Sequence, residues 1–590
     1  MTDLKQVFRL PILRGAALIG GFLVVSGQSA AIADIDADRS VAAPTAITVD
    51  GQQYYDFMVA SVAGRDAQHL DAVTHYLRAL EQDPDSDLMI SLAFIELLQA
   101  GKYDQARQLS RTYVDEGQGL ENDLLLQVYL LDALANKETD TVRAQLDEAR
   151  SKNFGHILSP LYEGWSYAID GDKEAALAGF AKITGNPLFD EVSKVNQALA
   201  LDYMGFSSEA NDHFKAIVDG DVINLRTLVV YADFLFRNGQ AAEASQMLRS
   251  NLQRYDNNVY LYRSTIRLER GIGLSIKPAT PLGSISLFLN QLATELAQGR
   301  SSGIAALYAR LSIIATPGYD DGYVLLSDIL AGDDRNIEAA TTLLSVHDTS
   351  PLYQIARYKR VSALRAAGLN NEARSDIQAM LVENPDRVNL MTTLADIYRS
   401  EEAWNDALFW YDQALEKRPK MRNSDWYIVF SRAVCLFELG DWPAAEIGML
   451  QALNLAPNEP TVLNYLGYSW IDRGVKMEAA TNMIRQAVEL QPDDGFILDS
   501  YGWAYYVAGN YQDAVIQLEK AVRLEPEDVT INEHLGDAYW KVGRKIEARF
   551  QWQYAIQAGP TASERPSLAG KLAYGLDVWE GQLRDEQTGR

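Results

Sequence analysis

The sequence predicts an all-α fold, an α-solenoid of roughly 12–14 helix–turn–helix repeats, several of them degenerate. Small alanines recur ahead of apolar stripes with steps of 34, 38, 35, 34 and 34 residues, at Ala373, Ala407, Ala445, Ala480, Ala514 and Ala548. Prolines that close each unit follow with identical steps, at Pro385, Pro419, Pro457, Pro492, Pro526 and Pro560. Two independent marks that share one irregular rhythm indicate a repeat architecture.

The first 33 residues have the layout of a secretory signal peptide. Three basic residues precede the apolar run 15–27, and the small residues Ala31 and Ala33 follow it. A membrane-spanning helix needs about 20 residues, so this run of 13 predicts cleavage near Ala33 rather than an uncleaved anchor. We therefore expect a periplasmic or otherwise exported protein with no transmembrane segment in the mature chain. Residues 34–52 are polar without a helical period and are predicted to form a flexible leader.

Helical repeats are predicted on both sides of one irregular stretch. Residues 53–270 form a degenerate N-terminal array whose alanines keep the 34-residue step more faintly, with one decayed unit between Ala106 and Ala176. The glycines and prolines of "GIGLSIKPATPLG" predict an irregular linker over residues 271–283. A C-terminal array is predicted over residues 284–561, followed by a capping helix over 562–580 and a disordered tail over 581–590.

Each repeat is expected to pack as two antiparallel helices around a close contact. In "SYGWAYYVAGNYQDAVIQLEKAVRLEP", Gly509 supplies the turn and Pro526 stops the second helix. Small residues at Gly502, Ala514 and Ala521 leave room for the two helices to approach. One pair cannot bury its apolar stripe alone, so successive pairs stack into a superhelix with a concave inner face.

Composition and motifs exclude several classes of function. The net charge of −27 and the pI near 4.7 argue against binding to nucleic acid or to anionic membranes. The single cysteine, Cys435, excludes an intramolecular disulfide and a cysteine-based zinc site, and its helical surroundings predict a buried thiol. The six histidines form no metal-binding pair, and no phosphate-binding loop or nucleophile elbow is present. We predict no enzyme, no cofactor and no metal.

The repeat resembles the tetratricopeptide repeat, from its glycine, tyrosine, alanine and proline positions at 34-residue spacing. The resemblance implies helical hairpins that bind proteins or peptides. The segments "LNYLGYSWIDRG" and "INEHLGDAYWKVGRKIEARFQW" are similar to a group of exported proteobacterial repeat proteins. That group includes outer-membrane lipoproteins that act as adaptors of carboxyl-terminal processing proteases. This chain departs from them because it has no lipidation cysteine near the cleavage point.

The resemblance also implies which residues line the inner face. In tetratricopeptide repeats these are the second, fifth, ninth, twelfth and thirteenth positions of each first helix. On the last three units they include Asn464, Tyr468, Ile471, Phe496, Asp499, Trp503, Tyr506, Glu533, Asp537, Trp540 and Lys541. Of these, we expect partner binding at Asn464, Tyr468, Asp499, Trp503, Tyr506, Glu533 and Trp540. An equally weighted alternative is that Trp503, Tyr506 and Trp540 pack between adjacent first helices.

The predicted groove is aromatic and acidic. Its fifth positions are Asn464, Asp499 and Glu533, which disfavours a clamp for a partner's terminal carboxylate and favours basic or apolar partner segments. The favoured hypothesis is an exported, non-catalytic scaffold that recruits envelope proteins, including a carboxyl-terminal processing protease and its substrates. The alternative is a glycan- or peptidoglycan-associated protein whose aromatic side chains stack on sugar rings.

Overall fold

The computed structural model describes residues 49–117, 122–150, 158–185, 187–220, 224–255, 258–274, 280–299, 301–562 and 564–588. The predicted signal peptide and residues 34–48 of the predicted leader lie outside these ranges. Within them the chain forms 31 α-helices and no strand, which confirms the all-α repeat fold. The chain divides after Leu369 into two compact units.

The first unit contains eighteen α-helices in its described part. They are α1 (Val49–Arg65), α2 (His69–Gln82), α3 (Asp87–Gln99), α4 (Tyr103–Asp115), α5 (Asp123–Ala135), α6 (Thr139–Arg150), α7 (Leu158–Asp170), α8 (Lys173–Phe180), α9 (Pro187–Tyr203), α10 (Ser207–Val218), α11 (Leu225–Arg237), α12 (Ala241–Asn251), α13 (Val259–Glu269), α14 (Pro281–Gln298), α15 (Ser302–Ala315), α16 (Asp320–Gly332), α17 (Asn336–Thr342) and α18 (Tyr353–Ala366). Short 3-10 turns cover Gln253–Tyr255 and Leu343–Ser345.

The second unit contains thirteen α-helices in its described part. They are α19 (Asn370–Glu383), α20 (Val388–Ser400), α21 (Trp404–Glu416), α22 (Trp426–Glu438), α23 (Trp442–Leu455), α24 (Pro460–Asp472), α25 (Met477–Leu490), α26 (Gly495–Val507), α27 (Tyr511–Leu524), α28 (Val529–Lys541), α29 (Lys545–Gln557), α30 (Arg565–Tyr574) and α31 (Leu576–Thr588). A 3-10 turn at Asn423–Asp425 lies in the longer loop between α21 and α22.

Local sequence signals fix where the helices of a pair begin and turn. The side chain of Asp528 accepts a hydrogen bond of 2.9 Å from the backbone N–H of Ile531 and caps α28. The turn between α26 and α27 places Gly509 at φ +82°, a conformation that favours glycine. The decayed unit between Ala106 and Ala176 keeps this left-handed turn with Lys137 at φ +59°. This unit therefore retains the hairpin without the residue that best suits its turn.

Close helix approach explains the small residues of the repeat. A Cβ atom added at Gly536 of α28 would lie 2.4 Å from Nε1 of Trp552 on α29, so only glycine fits there. Ala514, Ala521 and Ala548 are fully buried, as the alanine rhythm predicts. Cys435 is a free, buried thiol, and burial raises its pKa to about 11.

The first helices of successive pairs line the concave side of the second unit. Helix α26 contacts both α24 and α28, whereas the second helices α25, α27 and α29 lie further from one another. Stacked pairs curve toward the side on which their helices are closer together. The inner face of these three pairs is therefore formed by their first helices, α24, α26 and α28.

One hairpin of the first unit departs from the repeat order. Helices α14 and α15 pack against each other and run back along the N-terminal pairs, where α14 contacts α5, α7 and α9 and α15 contacts α3 and α5. The guanidinium of Arg107 on α4 donates a hydrogen bond of 2.8 Å to the carbonyl oxygen of Ile314 on α15. The hairpin thus fills the inner side of the N-terminal array, which the sequence did not predict.

Buried polar groups mark the contact between this hairpin and the array. Arg310 on α15 is buried with only long hydrogen bonds of 3.4 Å to the carbonyl oxygens of Ala306 and Gln99, and burial lowers its pKa to about 10. The side-chain amide of Asn290 on α14 is also buried, with no hydrogen-bond partner among the described residues. Such groups weaken the contact because their desolvation is not compensated.

Four predicted boundaries need correction. Helix α1 begins at Val49, so the leader predicted over 34–52 ends no later than residue 48. Helix α14 begins at Pro281, because Thr280 caps it through a 3.0 Å hydrogen bond from the N–H of Gly283, so the irregular linker stops short of residue 283. The single capping helix predicted over 562–580 is two helices, α30 and α31, separated at Gly575 with φ +82°. The tail predicted to be disordered over 581–590 is helical to Thr588.

Candidate functional site

The candidate site is the inner face of α24, α26 and α28 in the second unit. Helix α24 contributes the predicted residues Asn464 and Tyr468, which are both half-buried. The Oδ1 atom of Asn464 is buried and has no hydrogen-bond partner. Burial, together with the nearby carboxylates of Asp499 and Asp472, raises the pKa of Tyr468 to about 12. Burial therefore shapes the chemistry of both side chains on this helix.

Three rings stack on this face. The indole of Trp503 lies parallel to the Tyr506 ring, with centroids 4.6 Å apart and an angle of 7°. The imidazole of His534 lies 3.9 Å from the Trp503 centroid at 15°. Two rings at these distances would overlap if they shared one face of the indole, so they cover opposite faces. Trp503 is the centre of the stack, and Tyr506 is its outer ring.

The carboxylate of Asp499 is used within the chain. It is buried, and its two oxygens lie 2.9 and 3.0 Å from Nδ1 of His534. Burial alone would lower the pKa of His534, but Asp499 and Asp537 raise it above its usual value of 6.5, while Lys571 opposes them. These carboxylates therefore favour the protonated form of the imidazole, which pairs with Asp499.

We expect this pair to stabilise the protein mainly at acidic pH. Because the folded-state pKa of His534 is raised, its stabilisation is fully present below the unfolded value near 6.5 and is lost as the pH rises through the folded value. A His534→Gln variant should lose about 1.5–3 kcal/mol, the range for a hydrogen bond to a charged group. Thermal unfolding midpoints of both proteins between pH 5.5 and 8.5 measure the difference. A difference that grows with pH would show that the imidazole is buried in its neutral form.

Glu533 and Trp540 are held by the two C-terminal helices. The ammonium of Lys571 on α30 donates hydrogen bonds of 2.6 Å to both Glu533 and Asp537. The indole N–H of Trp540 donates to Asp577 on α31 at 2.8 Å, and the ring packs against Gly575. Trp540 is buried against Trp552 of α29 and against Gly575, so its ring is not accessible as the expected partner-binding residue.

These contacts reduce the predicted acidic character of the groove. Asp499 pairs with His534, which is cationic only when protonated, and Glu533 and Asp537 share the single ammonium of Lys571. Part of the negative charge is therefore compensated within the chain. What stays accessible is mainly apolar, with Phe496 54% and Val507 43% exposed at either end of α26. On the inner face Trp503 stacks with Tyr506, and Tyr468 is half-buried on the neighbouring helix α24. Partner binding by these residues stays a prediction.

Sequence reasoning missed the roles of His534 and Lys571. His534 lies directly after the inner position Glu533 and not on an inner position, so the repeat pattern does not single it out. Lys571 lies 34 residues after Asp537, and its neighbour on α30, Ser567, lies 34 residues after Glu533 and donates to it at 2.7 Å. Continuing the repeat period past Pro560 would have placed both residues against the acidic pair.

The described ranges lack two further features, a metal-binding cluster and a membrane-spanning helix. There, no group of three or more His, Cys, Asp or Glu side chains is placed to hold a metal ion. No described helix is both long enough and apolar enough to cross a membrane.

Comparisons with known proteins agree on the repeat. Residues 502–543, which span most of α26 to α28, match the family model described as TPR repeat. The TPR repeat-containing protein PA4667 of Pseudomonas aeruginosa is 27% identical over 164 residues, which is 27% of this chain and 26% of that protein. The chain thus matches about a quarter of the length of this curated relative.

Solved structures with similar helices are related only distantly. The anaphase-promoting complex hetero-tetramer Cut9–Hcn1 is 14% identical with a TM-score of 0.36, over 88% of this chain and 96% of that chain. The TPR protein TTC0263 of Thermus thermophilus is 20% identical with a TM-score of 0.28, over 32% of this chain and 99% of that chain.

Proposed function

We propose that this chain, a tetratricopeptide repeat (TPR) protein, is a non-catalytic scaffold that binds protein partners on the inner face of its second unit. TPR proteins generally mediate protein–protein interactions. The observation that carries the proposal is the difference between the two inner faces. In the first unit the inner face is filled by α14 and α15, whereas in the second unit Tyr468, Tyr506 and Phe496 stay accessible.

The accessible chemistry favours an apolar partner segment. Phe496 is an exposed ring on a concave surface, which is where binding anchors are commonly found. The rings of Tyr468 and Tyr506 are half-buried on the same face. A segment with apolar side chains would contact these rings rather than free carboxylates.

A photo-crosslinking phenylalanine analogue at position 496 tests the inner face. We expect it to crosslink one or two specific proteins in cells of the native host. The matched control is the same analogue at Phe409 on the second helix α21, because the two side chains are 54% and 55% exposed. The same crosslinked species from both positions, or none from position 496, would rule out the inner face of α26 as the binding surface.

The proposed setting is the bacterial cell envelope, with a carboxyl-terminal processing protease and its substrates as partners. The support is the signal-peptide layout of residues 1–33 and the resemblance to exported protease adaptors. Recovery of such a protease with the chain after mild crosslinking would support this assignment. Co-purification with envelope proteins of another class would support the scaffold function but contradict the assignment of a protease as the partner.

Export itself has a direct test. Because the apolar run 15–27 is short and small residues follow it, the mature N-terminus should be Asp34 or a neighbour within a few residues. Mass spectrometry of the natively expressed protein measures this. An intact Met1 in the membrane fraction would contradict export with cleavage.

The glycan-binding alternative is less well supported by the geometry. A sugar ring stacks on a free aromatic face, but His534 and Tyr506 cover both faces of Trp503. Tyr506 has one face on Trp503 and an edge contact with Tyr511 at 5.3 Å. Retention on purified cell-wall sacculi at moderate salt would restore this alternative.

A further inference from the structure

Helix α29 carries an exposed apolar stripe on the side opposite the inner face. Ile546, Phe550 and Tyr554 are 72%, 69% and 47% exposed and follow one another at intervals of one helical turn. The opposite side of the same helix is fully buried at Ala548 and Trp552. We call the three exposed residues the outer stripe.

Packing of the repeats does not require the outer stripe. The residues 34 positions earlier, on α27, are Gln512, Ile516 and Lys520, and the residues 68 positions earlier, on α25, are Glu478, Asn482 and Gln486. Helices α27 and α25 occupy places in the array equivalent to that of α29. At these positions α27 has one apolar residue and α25 has none, so the array packs without an apolar stripe there. Single exposed apolar residues are common, but three on successive turns mark an interaction surface.

Two cations flank the outer stripe on one side. Lys545 and Arg549 are exposed and precede Ile546 and Phe550 by one position each. The ammonium of Lys545 lies 4.4 Å from the ring centroid of Trp540, and the guanidinium of Arg549 donates to the carbonyl oxygen of Leu572. In the described part of the chain neither lies within ion-pair distance of a carboxylate. The nearby carboxylate of Asp577 has a lowered pKa, mainly through its hydrogen bond from Trp540, and Lys545 contributes to this shift. Two cations beside this one carboxylate leave the flank a local basic edge on a protein of net charge −27.

We propose that the outer stripe binds an amphipathic helix of a partner protein whose apolar side is bordered by carboxylates. The stripe extends for about 12 Å along α29, which matches apolar residues at positions i, i+4 and i+7 of a packed helix. Carboxylates on one border of that helix face Lys545 and Arg549. This site is separate from the inner face, so the scaffold holds a second partner without competition.

Charge also argues against a second copy of the chain as the occupant. In an antiparallel two-fold pairing of α29 with itself, each border of the stripe faces the same border of the other copy. Lys545 and Arg549 would then oppose their own equivalents. Like charges at an interface cost free energy, whereas an acidic border gains from the same geometry.

The test uses the purified full chain and two labelled synthetic amphipathic helical peptides of equal length with the same leucine stripe. One peptide carries glutamate along one border of the stripe and the other carries lysine. Fluorescence anisotropy at low salt should show at least about tenfold tighter binding of the glutamate peptide. Non-specific attraction to the net charge of −27 would favour the lysine peptide. A preference for the glutamate peptide therefore cannot arise from the net charge of the protein.

Three variants make the result specific. Phe550→Asn should weaken binding of the glutamate peptide at least about tenfold, and Lys545→Glu with Arg549→Glu should reverse the preference. Ile516→Asn is the matched control, since Ile516 is 51% exposed at the equivalent position of α27 and Asn482 occupies that position on α25. It should change binding less than twofold, and circular dichroism should show all variants folded.

Several outcomes overturn the proposal. They are absence of saturable binding, equal or stronger binding of the lysine peptide, and binding that Phe550→Asn leaves unchanged. Sedimentation of the wild-type chain as a dimer that Phe550→Asn dissociates would assign the outer stripe to a second copy instead.

Discussion

Replacing Lys571 by methionine is expected to destabilise the second unit by about 3–5 kcal/mol, the cost of breaking a buried ion pair by removing one partner. The ammonium of Lys571 donates to Glu533 and Asp537 at 2.6 Å each, and Lys571 and Asp537 are both buried. Methionine keeps the length of the side chain but leaves both carboxylates without a cation. Chemical denaturation followed by tryptophan fluorescence measures the loss.

A rescue variant and a matched control separate this charge effect from packing. Adding Glu533→Gln and Asp537→Asn to Lys571→Met removes the uncompensated charge and should restore most of the stability. Lys541 pairs with Asp577 and Glu580 at 3.3 and 3.1 Å in a more exposed setting. Lys541→Met should therefore cost less than about 1 kcal/mol. Equal losses for both lysine variants would contradict the buried ion-pair account.

The helix pairs of the second unit were predictable because every pair needs small residues at the same places, where its two helices are in close contact. Ala514 and Ala548 are fully buried where two helices meet, and a Cβ at Gly502 would lie 2.6 Å from Cγ of Leu518. A residue larger than alanine does not fit at these places, so the sequence keeps small residues at a fixed spacing. Periodicity of this kind is visible without a structure.

The hairpin of α14 and α15 was not predictable by the same means. Its place depends on contacts such as that between Arg107 and Ile314, which lie 207 residues apart and follow no period. An apolar helix that fills a groove has the same composition as one that continues the array. Only the loss of rhythm after residue 270 indicated that something differs there.

The chemistry of the candidate site was not predictable from the repeat pattern. The resemblance to tetratricopeptide repeats implied that Trp503, Tyr506 and Asp499 lie on the inner face, and their role in binding stays a prediction. The repeat pattern did not predict that His534 would stack on the indole and bind the carboxylate, because that pairing joins residues 35 apart on neighbouring helices. Counting carboxylates therefore overestimated the charge that the face offers to a partner.

Replacing Trp165 by alanine is expected to destabilise the first unit by about 3–5 kcal/mol, the usual cost of removing a large buried ring. Trp165 on α7 is fully buried, and its indole N–H donates to Oδ1 of Asn196 on α9 at 2.9 Å. Its ring also meets Phe180 edge-on at 5.5 Å. The loss therefore combines a cavity with a buried acceptor that has no donor.

Trp165→Phe separates these two contributions, and hydrogen exchange shows how far the damage spreads. The phenylalanine variant keeps most of the ring volume, so its cost should reflect mainly the unpaired Asn196, about 1–3 kcal/mol. Because the pairs of a repeat array contact mainly their neighbours, amide exchange should rise around α7 to α10 and stay unchanged in α26 to α29. An equal rise in those C-terminal helices would show that the two compact units unfold as one, and the stability of the inner face of α26 would then depend on the first unit.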